Sequence, residues 1–209
     1  TAIKGVHTMA HMDYDSGKDR LAAFFDAVLA IVMTILVLEL QIPSPISLQG
    51  FWGIRDGLLT YFLTFFWLGA LWAAHHAEWR FVRDIDHGVV WSMLVLLFFT
   101  SLFPYAARLV SLDFWSRSAQ GFYGIVTICT TAANMASYTS IVRADPDNNT
   151  LKHYVHYNRQ MMPIDLVVKV IGLVVTMVAW PPAMMVSTLV AAALVLFSQV
   201  HHRRSSRLR

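Results

Sequence analysis

The sequence predicts an all-α membrane protein of six transmembrane helices. Three observations lead there. Hydrophobic residues make up 56% of the 209 and charged residues only 14%, against about 25% charged in soluble domains. The mean hydropathy is +0.52. Six apolar runs also recur between short charged segments, each near the ~20 residues that cross a ~30 Å hydrocarbon core at ~1.5 Å per residue. A soluble chain of this length has no interior for 13 Phe, 7 Trp and 7 Tyr beside its aliphatic residues. The composition therefore excludes an ordinary cytosolic enzyme, a disordered chain and a disulfide scaffold. The single cysteine, Cys129, cannot form an intramolecular disulfide.

The expected spans are 21–40, 57–77, 89–107, 118–142, 161–180 and 183–200. All are helices, because an open sheet edge cannot exist in lipid. Asp26 and Glu39 interrupt the first run, and Asp165 and Lys169 lie in the fifth. Asp19 precedes the first run and is expected to cap its helix. Met161 and Met162, just before Pro163, are expected to begin the fifth helix. Pro181-Pro182 leaves only a tight turn between the last two spans. Trp52, Trp79, Trp115 and Trp180 fall near span ends and read as an interfacial belt.

Charge sets the direction. The N-terminal segment, the loops 80–86 and 143–159 and the C-terminal tail hold twelve Lys and Arg. The opposite side holds only Arg55, Arg108 and Arg117, and Lys169 lies within a span. By the positive-inside rule both termini are cytoplasmic. The net charge of +3 follows from these loops. The basic residues are not interleaved with exposed aromatics, so nucleic acid is excluded as a partner. Residues 1–19 form a cytoplasmic segment, 20–202 the membrane domain and 203–209 a basic cytoplasmic tail. Ala10-His11-Met12 resembles a vector junction, and the segment 1–19 lacks the features of a signal peptide. Asn148-Asn149-Thr150 fits a glycosylation acceptor, but on the cytoplasmic side it is a plain loop.

The first helix differs from the others. A carboxylate one to two turns inside a span costs ~2.5–3.5 kcal/mol on insertion scales and needs a partner. Arg20 and a neighbouring His are the candidates for Asp26. With about 100° per residue, Arg20, Phe24, Ile31, Ile35, Leu38 and Ile42 fall within about 40° of one line, with Thr34 beside it. An aliphatic stripe of this kind is ordinarily a helix–helix seam. A pore wall is the other physical option, because rings of aliphatic residues gate by dewetting.

The segment Arg20-x-x-x-Phe24-Phe25-Asp26 resembles the R-x-x-x-F-S-D signature that opens the first helix of the transmembrane protein 175 family. These are potassium leak channels of bacteria, archaea and the animal endolysosome. The run to Leu-Val-Leu-Glu39-Leu40, Trp72-Ala-Ala-His75-His76 and Ser101-Leu-Phe-Pro104-Tyr105 are also similar, and the resemblance covers all six spans in order. Phe25 departs from the usual Ser and removes a hydroxyl beside Asp26. The resemblance implies a single-repeat bacterial member. Such a chain forms a homotetramer in a prokaryotic plasma membrane, with the first helix of each subunit around a central pore. It implies weak to moderate potassium selectivity without the usual filter, and no Thr-Val-Gly-Tyr-Gly run occurs. The constriction would be Ile31, with Ile35 and Leu38 as further layers and Thr34 offering a hydroxyl. Arg20, Phe24, Phe25, Asp26, Trp72 and His75 would form the network of the signature motif. Cofactors are absent, and the only metal is K+ in transit near Ile31 and Thr34.

Other constellations are weaker. His75, His76 and Glu78 suggest a metal site, but adjacent His residues on a helix diverge by about 100°. Asp165 and Lys169, four apart, can pair on one helix face. A proton-coupled secondary transporter using Asp26, His75, Asp165 and Lys169 is the alternative function. No three-plus-three repeat of the kind that marks many carriers is visible. An enzyme would gather several polar groups at one depth, and only scattered ones occur.

Overall fold

The computed structural model describes residues 2–194, with side chains from residue 17 onward except 154 and 156–160. The chain forms α1 (Ala2–Leu38), α2 (Leu48–Gly53), α3 (Arg55–Glu78), α4 (His87–Ser101), α5 (Phe103–Leu112), α6 (Arg117–Ala144) and α7 (Asn149–Val178). A last apolar helix, α8, is described over Ala183–Leu194. Among the described residues five segments are long and apolar enough to cross a membrane: Gly17–Leu38, Arg55–Glu78, His87–Leu112, Arg117–Ala144 and Met161–Val178. Of the expected sixth span, 183–200, the first twelve residues form α8; residues 195–200, His201, His202 and the basic tail lie outside the described residues.

The bundle centres on α6, which packs between α4 and α7. α5 packs against both α6 and α3, α3 reaches α6 through side chains, and α1 lies across α3, α4 and α5. An aromatic row joins the layers: Trp67 of α3 meets Phe103 of α5 at 4.9 Å between ring centroids, and Phe103 meets Tyr123 of α6 edge-on at 5.7 Å. The Tyr123 hydroxyl is 3.0 Å from Thr64 Oγ1 on α3, so its polar end is satisfied where no water reaches. Buried hydroxyls elsewhere donate to carbonyls one turn back, as Thr127 and Thr130 do at 2.8 Å.

Four helix starts carry a side-chain cap. Ser47, Asp86, Ser116 and Asn148 accept from the backbone N–H of Gly50, Val89, Ala119 and Leu151. Asn148 also donates to Phe81 O and to Asp145 Oδ2, both at 2.7 Å. The glycosylation-like Asn is therefore a buried joint between the loops after α3 and α6.

Several boundaries differ from the sequence expectation. Asp19 does not cap the first helix, because α1 already runs from Ala2. The fifth span lies where expected, at Met161–Val178, but its helix starts well before Met161, since α7 begins at Asn149 and carries Pro163 inside it. There the proline removes one ladder N–H without ending the helix. The third span is broken. Leu102 N–H turns back to Phe99 O at 3.2 Å, and α5 restarts with Pro104 in its first turn, where a missing N–H costs nothing. Trp79 is buried at 8% exposure rather than interfacial, whereas Trp52, Trp115 and Trp180 are exposed.

Between α7 and α8 the turn at Pro181-Pro182 is tight, and Thr176 Oγ1 donates to Pro181 O at 3.1 Å. Gly172 permits the approach, because a Cβ there would overlap the Ser187 side chain. On the same face, seven and three residues before Gly172, α7 is fastened by the buried pair Asp165 and Lys169 together with Thr131. Lys169 Nζ donates to Asp165 Oδ2 at 2.6 Å and to Thr131 Oγ1 of α6 at 2.8 Å, and Thr131 Oγ1 is 3.2 Å from the same carboxylate oxygen. The Trp67 ring of α3 receives the ammonium at 4.9 Å. Breaking one partner of such a buried pair leaves an uncompensated charge, a loss of roughly 3–5 kcal/mol, whereas replacing both removes the penalty. Lys169→Met is therefore expected to melt well below the wild type in detergent, and Asp165→Leu/Lys169→Met to recover most of the loss. Equal melting of single and double variants would show that the triad does not hold the bundle.

Candidate functional site

The faces of α1 have different fates. Leu21, Phe25, Leu29, Val32 and Leu36, spaced by three and four residues, are buried in the bundle. Phe24, Ile31, Ile35 and Leu38 are exposed, Ile31 at 58% and Leu38 at 78%; Ile42 is also exposed but does not belong to the stripe, because the helix ends at Leu38. The stripe read from the sequence is thus an uncovered surface of the single chain and not a seam within it. Thr34 lies on the same side of the helix and donates its hydroxyl to Ile31 O at 2.8 Å. Its two lone pairs remain open to whatever faces this surface.

Toward the expected cytoplasmic end, Asp26 finds its partner on α3. Trp72 Nε1 donates to Asp26 Oδ1 at 2.8 Å. Neither expected partner is used: no ion pair joins Asp26 to Arg20 or His75 among the described residues, and Arg20 is exposed. Trp72 remains 39% exposed and stacks on His76 at 5.1 Å. The Asp26–Trp72 bond therefore stands at the surface of the chain although both residues lie within spans.

His75 points inward. Its Nε2 is 2.8 Å from Asn134 Oδ1 of α6, and its ring stacks near Tyr138 at 5.6 Å. Its Nδ1 lies 3.2 Å from Glu78 Oε2, an ion-pair distance that lacks hydrogen-bond alignment. Both side chains are almost fully buried. Phe25 covers the cluster at 4.8 Å from the His75 ring. The aromatic side chain that replaces the usual Ser thus couples α1 to α3 by packing rather than by a hydroxyl. Glu78 was already grouped with His75 in the sequence, as a metal-site candidate, whereas Asn134, 59 residues from His75, was not legible as a member of this cluster. No group of three or more potential metal ligands occurs among the described residues, so the His75, His76 and Glu78 run does not assemble into a metal centre.

The four residues considered for a proton relay fall into separate sets. Asp26 is bonded to Trp72, His75 to Asn134 and Glu78, and Asp165 and Lys169 to one another and Thr131. No residue is shared between them.

The opposite end of α1 is fastened differently. Glu39 Oε2 accepts from Arg108 Nη1 of α5 at 3.0 Å, and Gln41 Nε2 donates to Ser111 O at 2.9 Å.

Comparison with known proteins places this arrangement. The sequence model of the endosomal/lysosomal potassium channel TMEM175 matches residues 20–104, which hold both the stripe and the Asp26–Trp72 bond. A potassium channel of Chryseobacterium sp. (strain P1-3) is 34% identical over 139 residues, covering 66% of this chain and 72% of that protein. A potassium channel of Streptomyces collinus is 24% identical over 132 residues, 59% of this chain and 64% of that one. The crystal structure of a lysosomal potassium-selective channel TMEM175 homolog from Chamaesiphon Minutus superposes with a TM-score of 0.75 at 20% identity, covering 88% of this chain and 98% of that chain. It shows the same fold. Through its identity with the Chryseobacterium channel and its match to the family's sequence model, this multi-pass membrane chain belongs to the TMEM175 family, whose members are channels rather than enzymes.

Proposed function

We propose that the chain is one subunit of a homotetrameric, passively conducting potassium channel of the prokaryotic plasma membrane, with both termini in the cytoplasm. The central pore is lined by the exposed stripe of α1. What supports this reading is the surface of α1 itself. It carries an aliphatic line, one accessible hydroxyl and, on a flank, a carboxylate–indole bond left open within the membrane. Lipid would serve the aliphatic line alone. A carboxylate at a lipid surface is costly, so a neighbouring subunit must cover the flank at Asp26 and Trp72, and that brings copies of α1 around a common axis. The family relatives named as potassium channels support the permeant ion.

Ile31 forms the constriction, with Ile35 and Leu38 as successive rings further out. Four branched side chains close together repel water, and an ion crossing them loses hydration with no oxygen to replace it. Thr34 supplies the nearest hydroxyls. Few ligands stand in place of stripped water, so selectivity for potassium over sodium is weak to moderate and needs no Thr-Val-Gly-Tyr-Gly filter. No cofactor or fixed metal is required; K+ is present only in transit.

Three experiments test the reading. Potassium flux into liposomes is expected to rise in Ile31→Asn, which wets the ring, and to stay at the wild-type level in Leu194→Asn on an exposed position of α8. Thr34→Ala is expected to lower the potassium preference in bi-ionic reversal potentials. Unchanged flux in an assembled Ile31→Asn tetramer would place the pore elsewhere. Asp26→Ala strands the Trp72 donor, at roughly 1–3 kcal/mol for each group left unsatisfied. It is therefore expected to lower the melting temperature of the tetramer, and wild-type melting would show that the bond takes no part in assembly.

A further inference from the structure

We infer that Glu39 is a cation-concentrating carboxylate at the outer mouth of the pore, and that Arg108 sets how much of its charge the permeant ion feels. The inference rests on the pore-lining reading of α1.

Glu39 directly follows Leu38, the last residue of α1 and the outermost ring of the helix. The helix closes there with short turns, Glu39 N–H to Leu36 O and Leu40 N–H to Val37 O, both at 3.3 Å. Between Asp26 and Glu39 the helix carries no ionisable side chain. An ion leaving the aliphatic rings therefore meets Glu39 as the first formal charge on the pore helix. The other acids of the outer side are engaged elsewhere. Asp56 sits 3.7 Å from its neighbour Arg55, and Asp113 accepts from Trp115 N–H at 3.1 Å.

The carboxylate is held in place rather than left to swing. Arg108 and Ser111 lie three apart on α5 and so share a face. They grip Glu39 and Gln41 through the 3.0 Å and 2.9 Å contacts. Glu39 is 23% exposed and Arg108 is 58% exposed. A fixed, partly solvated charge pair of this kind does little for fold stability, but its field reaches the mouth wherever salt does not screen it. The screening length is ~30 Å at 0.01 M and ~3 Å at 1 M. With one Glu39 and one Arg108 per subunit, the tetramer's mouth carries four charges of each sign in balance. Removing Arg108 leaves four uncompensated carboxylates that raise the local cation concentration. Removing Glu39 leaves four guanidinium groups that lower it. Removing both restores neutrality.

The test is single-channel K+ conductance in neutral-lipid planar bilayers at ~10 mM and ~1 M KCl. At low salt the expected order is Arg108→Gln above wild type, wild type equal to Glu39→Gln/Arg108→Gln, and Glu39→Gln lowest. Each step should be about 2–5-fold, below the ~10–10³-fold range of focusing by low-dielectric clefts because the pair is partly solvated, and should vanish at 1 M. A charge added after assembly removes any dependence on folding. Glu39→Cys in a Cys129→Ser background should conduct less after a cationic methanethiosulfonate reagent and more after an anionic one. Ile31→Asn, measured alongside, separates the two readings. If it changes flux while the mouth variants all match the wild type at 10 mM, the role of Glu39 is refuted and the pore helix stands. Differences that persist undiminished at 1 M would also refute it, because they would show a mechanical clamp rather than a field. If Ile31→Asn is silent as well, the pore-lining reading fails and this inference falls with it.

Discussion

Everything in this molecule depends on how α1 divides its surface. Leu21, Phe25, Leu29, Val32 and Leu36 close the bundle against α3, α4 and α5, and the opposite side is left to an environment the single chain does not provide. In water the exposed Ile31, Ile35 and Leu38 would drive association by burial. In a bilayer that drive is absent, because lipid tails are as apolar as leucine. Association must then come from close packing and from polar groups that lipid cannot satisfy. The partly exposed Asp26–Trp72 bond supplies such a group, and it sits on the helix that carries the stripe.

The remaining polar groups within the spans obey the same constraint from inside. Several are brought to a partner on another helix, Tyr123 to Thr64, His75 to Asn134 and Lys169 to Thr131 as well as to Asp165, while Thr127 and Thr130 donate within their own helix. These contacts tie α6 to α3 and α7 at different depths. They leave α1 joined to the bundle by packing, by the Lys18 Nζ contact to Val82 O and the Asp26–Trp72 bond toward one end, and by the Arg108 and Ser111 contacts just past the other. The break at Leu102 makes α5, which holds the far end of α1, a helical segment separate from α4.

The spans were legible in the sequence because length and hydropathy are set by the bilayer, and the two-faced character of α1 followed from the spacing of its aliphatic residues. Pairing was legible only where it was local, as for Asp165 and Lys169 at four residues apart. The partners of Asp26 and His75 were not, because Trp72 and Asn134 lie 46 and 59 residues away and their approach depends on helix packing. An arginine six residues before Asp26 looked like the natural counter-ion, but it stays at the surface where water solvates it. The broken third span escaped because Pro104 in an apolar run is tolerated when a new helix begins beside it. The α7 start escaped because Asn149–Met162 is polar enough to resemble a loop, while the Asn148 cap allows the helix to begin there.

The central claim is that copies of α1 face one another across an axis. The most direct measurement is disulfide formation between subunits in liposomes, with Leu38→Cys in a Cys129→Ser background. A disulfide requires Cβ atoms about 3.5–4.5 Å apart, a separation that neighbouring subunits reach only if position 38 lies near the axis. The account gives covalent dimers on mild oxidation of Leu38→Cys and none for Leu194→Cys on α8. Persistently monomeric Leu38→Cys, in a preparation whose tetramer is intact, would contradict it.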